Sequence, residues 1–322
     1  MGRNVIYIVV PCYNESEGLK QSCEKLEIKM NELIKTKKMI SKKSKVMLVN
    51  DGSKDDTGKI ITEICENNSL FSGLLLSKNV GHQNAILAGM MTSKDYADAV
   101  ITIDADLQQD INALDNFIEK FQDGNEIVYG IRNDRSTDGV FKKMTATLYY
   151  KLLSFLGVDI IPNHADYRLM SKKALEALGE FKEVNLFLRG LIHLIGFQSD
   201  TVYFDVKERE FGKSKYTLSK MLTLATDGIT SLSIKPIRII MIIGVVMFLL
   251  SIIMIGISII DWFKGVNVAG YTTSLISIWL VGGITILSLG IIGEYIGRIY
   301  METKHRPRYI IESFIWKDEN KR

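Results

Sequence analysis

The chain has 322 residues, of which 47% are hydrophobic and 24% are charged, and its net charge is +3. This composition suits one soluble domain of ordinary size with additional sequence, and it names no function. The last third holds the long uncharged runs, which marks a domain boundary. Cys12, Cys23 and Cys65 are odd in number and show no Cys-x-x-Cys spacing, which argues against a disulfide framework and favours a reducing, cytosolic environment.

Short apolar runs alternate with helical segments in the first part of the chain. The first run ends at Pro11 and is too short for a signal-peptide core, so we interpret it as a strand. The predicted strands are Val5–Val10, Val46–Val49, Leu74–Ser77, Ala99–Ile103 and Ile127–Gly130. Alternation of this kind predicts an α/β fold with an open, mainly parallel, Rossmann-like sheet, whose ligands bind at the carboxyl ends of the strands.

Polar clusters follow the first four predicted strands, at residues 11–15, 50–53, 79–82 and 104–108. Each cluster alone is a weak signal, because Asn-Asp-Gly-Ser is common as a turn and helix cap and a single histidine such as His82 is more often a cap or a core residue. Four clusters at successive strand ends together predict a ligand site at this edge of the sheet.

The ligand site lacks the common nucleotide-binding loops. No Gly-x-Gly-x-x-Gly follows the first strand and no Gly-Lys-Ser/Thr loop occurs, which argues against a dinucleotide oxidoreductase and a phosphate-loop nucleotidase. Asp104 and Asp106 flank one residue at the end of an apolar strand, so both carboxylates can project to the same side. Such oxygen ligands select Mg²⁺ or Mn²⁺, which commonly bridge a substrate's diphosphate.

Two uncharged runs predict a transmembrane hairpin. Ile239–Ile260 spans about 22 positions and Val266–Gly293 about 28, against about 20 needed to cross the hydrocarbon core. The alternative, a pair of buried core helices, needs a much larger soluble domain around them. Basic residues flank the outer ends of the runs at 235, 238, 298, 304, 306 and 308, so both termini are predicted to face the cytoplasm.

Three further segments leave two interpretations open. Residues 216–234 and 141–156 have an amphipathic pattern, which fits either a helix in the membrane interface or an ordinary core-facing helix. Gly293 and Gly297 form a small-xxx-small pair, which fits either packing within the hairpin or formation of a homo-oligomer.

Several strings of residues resemble one enzyme family. They lie at 10–15 (Val-Pro-Cys-Tyr-Asn-Glu), 50–53 (Asn-Asp-Gly-Ser), 79–83 (Asn-Val-Gly-His-Gln), 104–108 (Asp-Ala-Asp-Leu-Gln), 166–168 (Asp-Tyr-Arg) and 209–216 (Arg-Glu-Phe-Gly-Lys-Ser-Lys-Tyr). Together they resemble family-2 glycosyltransferases of the GT-A fold, and more narrowly bacterial polyprenyl-phosphate glycosyltransferases related to dolichol-phosphate-mannose synthase. The two C-terminal spans are similar to those of the bactoprenol-glucosyltransferase subgroup.

The resemblance implies a division of the chain into four parts. Residues 1–212 are expected to form the cytoplasmic GT-A domain, and residues 213–236 the amphipathic interface helices. Two transmembrane helices are expected within 237–298, at about 237–260 and about 271–295. A cytoplasmic tail, 299–322, follows.

The resemblance also implies roles for individual residues. Asp106 and Asp166 are expected to be catalytic, and Asp104 and Asp106 to bind the metal, Mg²⁺ or Mn²⁺. The expected nucleotide-sugar contacts are Pro11, Tyr13, Glu15, Asp51, Ser53, Asn79, Gly81, His82, Gln83, Asp104, Ala105, Asp106 and Gln108. The expected contacts to the lipid phosphate or the diphosphate are Arg132, Arg135, Arg168, Arg209, Ser214, Lys215 and Tyr216. For Asp166 the alternative is a strand-end carboxylate paired with Arg168, and for any one of the cations the alternative is solvation at the surface.

The activity that the resemblance implies is inverting transfer of glucose or N-acetylglucosamine from a UDP-sugar to undecaprenyl phosphate at the bacterial plasma membrane. A flippase would move the lipid-linked sugar across the membrane, and a second glycosyltransferase would use it. We expect no nucleic-acid partner. One alternative is a non-catalytic membrane scaffold or flippase-associated subunit, which the intact acidic residues disfavour. A processive polysaccharide synthase is disfavoured because no Gln-x-x-Arg-Trp string and no further spans occur.

Overall fold

The computed structural model describes residues 3–36, 39–133, 164–183, 187–206, 233, 235–263 and 271–316. The strands in these residues are β1 (Ile6–Cys12), β2 (Lys45–Asn50), β3 (Phe71–Leu76), β4 (Ala99–Thr102), β5 (Ile127–Arg132), β6 (His164–Ser171), β7 (Ser199–Phe204) and β8 (Ile311–Ile315). The helices are α1 (Leu19–Asn31), which continues as a π-helical turn (Glu32–Thr36), α2 (Thr57–Asn67), α3 (His82–Ser93), α4 (Ala113–Gln122), α5 (Lys172–Gly179), α6 (Leu188–Leu194), α7 (Lys235–Phe263) and α8 (Tyr271–Thr303). The described strands form one sheet in the order β7-β5-β6-β4-β1-β2-β3-β8.

The centre of the sheet is parallel. β1 pairs in parallel with β2 and β4, and β2 pairs in parallel with β3. Every residue of β1 and β2 is buried, as expected for strands covered on both faces. One core cluster includes residues of α1, α2 and α4, and the other includes residues of α3, α5 and α6. The predicted mainly parallel α/β sheet is therefore confirmed, with β1 beginning at Ile6 and β3 at Phe71.

One strand that the sequence analysis did not predict completes the ligand edge. β6 runs antiparallel to its neighbours β4 and β5, and Arg168 pairs with Thr102 at the end of β4. Because β6 is antiparallel, its beginning lies at the same edge as the carboxyl ends of the parallel strands. This arrangement brings Asp166 to the end of β4, although the two segments are far apart in the chain.

The C-terminal part of the chain contains two long helices, α7 with 29 residues and α8 with 33. The spans predicted at about 237–260 and about 271–295 fall within them, residues 264–270 lie outside the described residues, and α8 continues to Thr303. The segment Leu280–Thr303 is long and apolar enough to cross a membrane, with a mean hydropathy of 1.7 and none of the scored stretch buried. Within the described part of the chain, it is the one segment with this length and hydropathy.

After α8 the chain returns to the sheet, which the sequence analysis did not predict. β8 pairs antiparallel with β3, with Leu74 opposite Phe314, and the amide of Ser77 donates to the carbonyl of Ile310 over 3.0 Å. Trp316 packs edge-on against Tyr96, with ring centroids 4.2 Å apart. Part of the segment predicted as a tail is thus an edge strand of the sheet. The amphipathic segments predicted at 141–156 and 216–234 lie outside the described residues, apart from Ser233.

Candidate active site

The loops after β1 and β2 are held together by hydrogen bonds between side chains and backbone amides. Asn14, with a φ of 52°, occupies the left-handed region at the turn of the first loop. The bonds are Asn14 N to Ser53 Oγ (3.1 Å), Lys54 N to Asn14 Oδ1 (2.9 Å), Glu15 N to Thr57 Oγ1 (2.9 Å) and Ser16 N to Asp55 Oδ2 (3.1 Å). Ser53, which was predicted to contact the nucleotide-sugar, therefore holds the loop after β1 in place. Pro11 is buried in β1, while Tyr13 and Glu15 are half-buried in the loop after β1.

Asp51 organises the loop that joins β3 to α3. Its carboxylate is buried and accepts hydrogen bonds from the amides of Val80 (2.7 Å) and Gly81 (3.0 Å) and from Nδ2 of Asn79 (2.9 Å). Burial raises the pKa of Asp51, and the two amides oppose that rise only in part. Gly52 has a φ of 57° and touches the backbone of this loop. The expected contact of Asp51 with the nucleotide-sugar remains a prediction, since the described contacts of its side chain are to the loop.

The Asp-x-Asp segment follows β4 and is braced by a glutamine that the sequence analysis did not select. Nε2 of Gln109 donates to Oδ2 of Asp104 over 2.6 Å, and Oε1 of Gln109 accepts from the amide of Asp104 over 2.9 Å. Gln109 and Ala105 are both buried, and Oδ1 of Asp106 accepts a hydrogen bond from the amide of Gln108 over 3.2 Å. Leu107, with a φ of 47°, turns the chain at this point. The strained conformation at Leu107 is of the kind that concentrates at functional sites.

His82 lies near both Asp104 and Asp166. Its Nε2 is 3.4 Å from Oδ1 of Asp104 and 3.7 Å from Oδ2 of Asp166, and 48% of its side chain is exposed. Burial lowers the pKa of His82, but the neighbouring carboxylates of Asp166 and Asp104 outweigh it, so the net shift is upward. Burial, opposed by His82, raises the pKa of Asp104. The histidine therefore links the end of β4 to the start of β6.

Asp166 is held by two arginines. Arg168 donates through Nη2 to Oδ1 of Asp166, and Arg189 donates through Nε to Oδ1 (3.3 Å) and through Nη2 to Oδ2 (3.0 Å). Burial alone would raise the pKa of Asp166, but Arg189, His82 and Arg168 hold it well below its usual range. A carboxylate with so low a pKa is a weak proton acceptor.

The remaining predicted residues fall into three groups. Oε1 of Gln83 accepts a hydrogen bond from the amide of Leu188 over 2.9 Å, so this side chain contacts helix α6. Arg168 is fully buried under Asp166, which disfavours its predicted contact with a phosphate, whereas Arg132 at the end of β5 is exposed. The predicted phosphate-binding residues Arg135, Arg209, Ser214, Lys215 and Tyr216 lie outside the described residues. Arg189 was not selected because its position within an apolar helix gives no sequence signal.

A protein-family model matches the part of the chain that contains most of these site residues. The model for glycosyl transferase family 2 matches residues 7–179, which include the Asp-x-Asp segment and Asp166. The chain belongs to glycosyltransferase family 2. A second family model, the GtrB C-terminal hairpin, matches residues 235–299 of this family 2 glycosyltransferase, which contain α7 and most of α8.

Relatives of this family 2 glycosyltransferase match it along nearly its whole length. The uncharacterized glycosyltransferase YkoT of Bacillus subtilis is 46% identical over 316 residues, covering 98% of this chain and 93% of that protein. The bactoprenol glucosyl transferase of Shigella phage SfV is 39% identical over 316 residues, covering 96% and 98%. Among solved structures, glucosyl-3-phosphoglycerate synthase from Mycobacterium tuberculosis, in complex with Mn²⁺, UDP-glucose and phosphoglyceric acid, aligns with a TM-score of 0.45 at 16% identity, covering 71% of this chain and 78% of that one.

Proposed function

We propose that this glycosyltransferase transfers glucose from UDP-glucose to undecaprenyl phosphate, with inversion at the anomeric carbon. The observation that carries the proposal is the meeting of Asp104, Asp106, His82 and Asp166 at the carboxyl edge of the sheet. The relationship to bactoprenol glucosyl transferases over 96% of this chain supports the choice of sugar and acceptor.

The carboxylates of Asp104 and Asp106 fit a divalent cation, Mg²⁺ or Mn²⁺. Both follow β4, and Asp104 is 32% exposed although buried Gln109 fixes its orientation. No group of three or more His, Cys, Asp or Glu side chains with metal-binding geometry occurs among the described residues. Two hard oxygen donors suit a cation that takes its remaining ligands from phosphate and water. When bound, such a cation neutralises the charge of the leaving nucleoside diphosphate.

The low pKa of Asp166 is compatible with this acceptor. A phosphate monoester has its second pKa near 6, so its attacking oxygen is already mostly deprotonated at neutral pH. Transfer to a phosphate therefore needs no strong base, in contrast to transfer to a sugar hydroxyl. Asp166, which its two arginines keep ionised, orients the sugar or the acceptor instead.

The course of the chain supports a hairpin through the membrane with both termini on the cytoplasmic side. α7 begins beyond the catalytic domain at Lys235, and the segment after α8 returns to that domain as β8. The outer ends of the two helices must then lie on the same side of the bilayer, which an even number of crossings provides. Arg238 and Arg298 near those ends agree with the positive-inside rule. A lipid-linked sugar made on this side requires a flippase before a second transferase can use it.

Mass spectrometry of the lipid fraction tests the proposal. Detergent-purified protein is incubated with Mg²⁺ or Mn²⁺, undecaprenyl phosphate and a panel of UDP- and GDP-sugars. We expect a hexosyl phospholipid from UDP-glucose, and none from the Asp106→Ala variant. The matched control is Asp95→Ala, which should retain activity. Asp95 is exposed and precedes the first residue of β4, whereas Asp106 follows the last. No lipid product from any donor would overturn the proposed function.

A further inference from the structure

Arg189 makes a two-point contact with the acidic group at the centre of the site. Its Nε and Nη2 donate to different oxygens of Asp166, over 3.3 and 3.0 Å. This fork geometry fixes the plane of the carboxylate, which a single hydrogen bond does not do. The Arg189 side chain is 32% exposed, whereas that of Asp166 is 12% exposed. The arginine is thus the more exposed member of this ion pair.

The position of Arg189 is set by the same segment that carries His82. Gln83, the next residue, accepts the amide of Leu188 at the first turn of α6 over 2.9 Å. Since no side chain of the residue preceding α6 caps the helix, this bond anchors its first turn to α3. Two consecutive residues therefore act on Asp166. His82 lies next to its carboxylate, and Gln83 holds Leu188, the residue that precedes Arg189.

Arg168 makes a further contact with Asp166. This side chain is fully buried in β6 and donates to Oδ1, the same oxygen that accepts Nε of Arg189. A carboxylate offers about four acceptor positions, and these contacts occupy three of them. Both oxygens are held in place, and a carboxylate so held accepts hydrogen bonds but does not take up a proton readily.

We propose that Arg189 is a positioning residue, which fixes Asp166 so that its remaining acceptor position is oriented toward a hydroxyl group of the donor sugar. The inference rests on the proposed function, because it deepens the role of the same site. It assigns Arg189 no contact of its own with the substrate. All its influence on the rate passes through Asp166.

A double-mutant comparison tests this indirect role. UDP release and lipid product are measured for wild type, Arg189→Ala, Asp166→Asn and the double variant. Lys120→Ala is the matched control, because Lys120 is 33% exposed and pairs with Asp200 in the same domain, away from the site. We expect kcat to fall about 100-fold in Arg189→Ala, the size of effect that a displacement of about 1 Å can produce. The Lys120→Ala control should stay within about twofold of wild type.

The decisive measurement is the effect of Arg189→Ala in the Asp166→Asn background. Residues that act through one contact are not additive, so the double variant should be within about twofold of Asp166→Asn alone. Guanidinium ion in the assay should raise the rate of Arg189→Ala and leave that of Asp166→Asn unchanged, since only the former retains the carboxylate. A structural defect in α6 would not respond to guanidinium.

Two results would overturn the inference: a wild-type rate for Arg189→Ala, or the same fold-loss from that substitution in both backgrounds. The second result would mean that Arg189 contacts the substrate itself. Absence of a lipid product from the wild-type enzyme would instead overturn the proposed function. The same comparison is then made on hydrolysis of the UDP-sugar, which needs no lipid acceptor.

Discussion

Gly52 is the point where two loops of the site touch, and replacing it with alanine should separate them. A Cβ at residue 52 would lie 2.3 Å from the carbonyl carbon of Lys78 and 2.4 Å from the amide nitrogen of Asn79. Both neighbours are backbone atoms, so no side chain can rotate away. Restoring carbon contacts of about 3.5 Å requires a movement of about 1 Å between Gly52 and the β3–α3 loop.

Two costs add up in the Gly52→Ala variant. The φ of 57° is left-handed, which costs a residue with a Cβ about 1 to 2 kcal/mol. The overlap with the backbone costs a further 1 to 3 kcal/mol, on the order of other overpacked sites. The movement also pulls the amides of Val80 and Gly81 away from Asp51. Because this loop leads into His82, the transfer rate should fall about 100-fold.

Gly196→Ala separates the two costs. Gly196 has a φ of 72°, but the nearest atom to its Cβ would be the carbonyl oxygen of Leu194 at 3.9 Å, so this variant carries the conformational cost alone. Melting in detergent should show a drop of about 2 to 4 °C per kcal/mol, larger for Gly52→Ala than for Gly196→Ala. UDP titration calorimetry should show weaker binding only for Gly52→Ala. Equal melting temperatures together with unchanged UDP binding would refute this account of Gly52.

Two further predictions concern residues that brace the site. Gln109→Leu removes both bonds to Asp104, so the Mn²⁺ concentration for half-maximal activity should rise about tenfold, as is common for residues that orient metal ligands. Gln122→Leu is the control, and an unchanged Mn²⁺ dependence of Gln109→Leu would count against the bracing role. For Asp55, burial is outweighed by hydrogen bonds from Thr57 and Ser16, which lower its pKa from 3.8 to about 2. A pKa lowered by folding adds stability above the unfolded value and loses it as the pH falls, so the melting temperatures of wild type and Asp55→Asn should converge between about pH 4 and pH 2. A difference that stays constant over this range would contradict the assignment.

The parallel part of the sheet was predictable because its chemistry is local. Strands buried on both faces are mostly apolar, and β1 and residues 46–49 of β2 are such runs. Polar residues directly after these runs must meet at one edge, because parallel strands end on the same side. This local pattern sufficed to select Asp51, Asp104 and His82 as members of one site.

β6 was not predicted because charged residues interrupt its pattern. Asp166 and Arg168 lie two apart on one side of the strand and are buried together, which is tolerable because they neutralise each other. Arg189 was also missed, because its partner Asp166 lies in β6, far from α6 in the sequence. The choice between Gln108 and Gln109 depends on the turn at Leu107, whose positive φ the sequence does not indicate.

The edge strand β8 gives the folding of this enzyme a fixed order in time. The chain is synthesised from its N-terminus, and the early elements of a domain fold before the late ones are made. β3 therefore leaves the ribosome before α7 and α8, and its outer edge stays unpaired until residues 311–315 follow. Open strand edges pair readily with other chains. A nascent chain that stalls after α8 thus carries the other described strands of the sheet with the outer edge of β3 unpaired, and β8 is the strand that covers this edge.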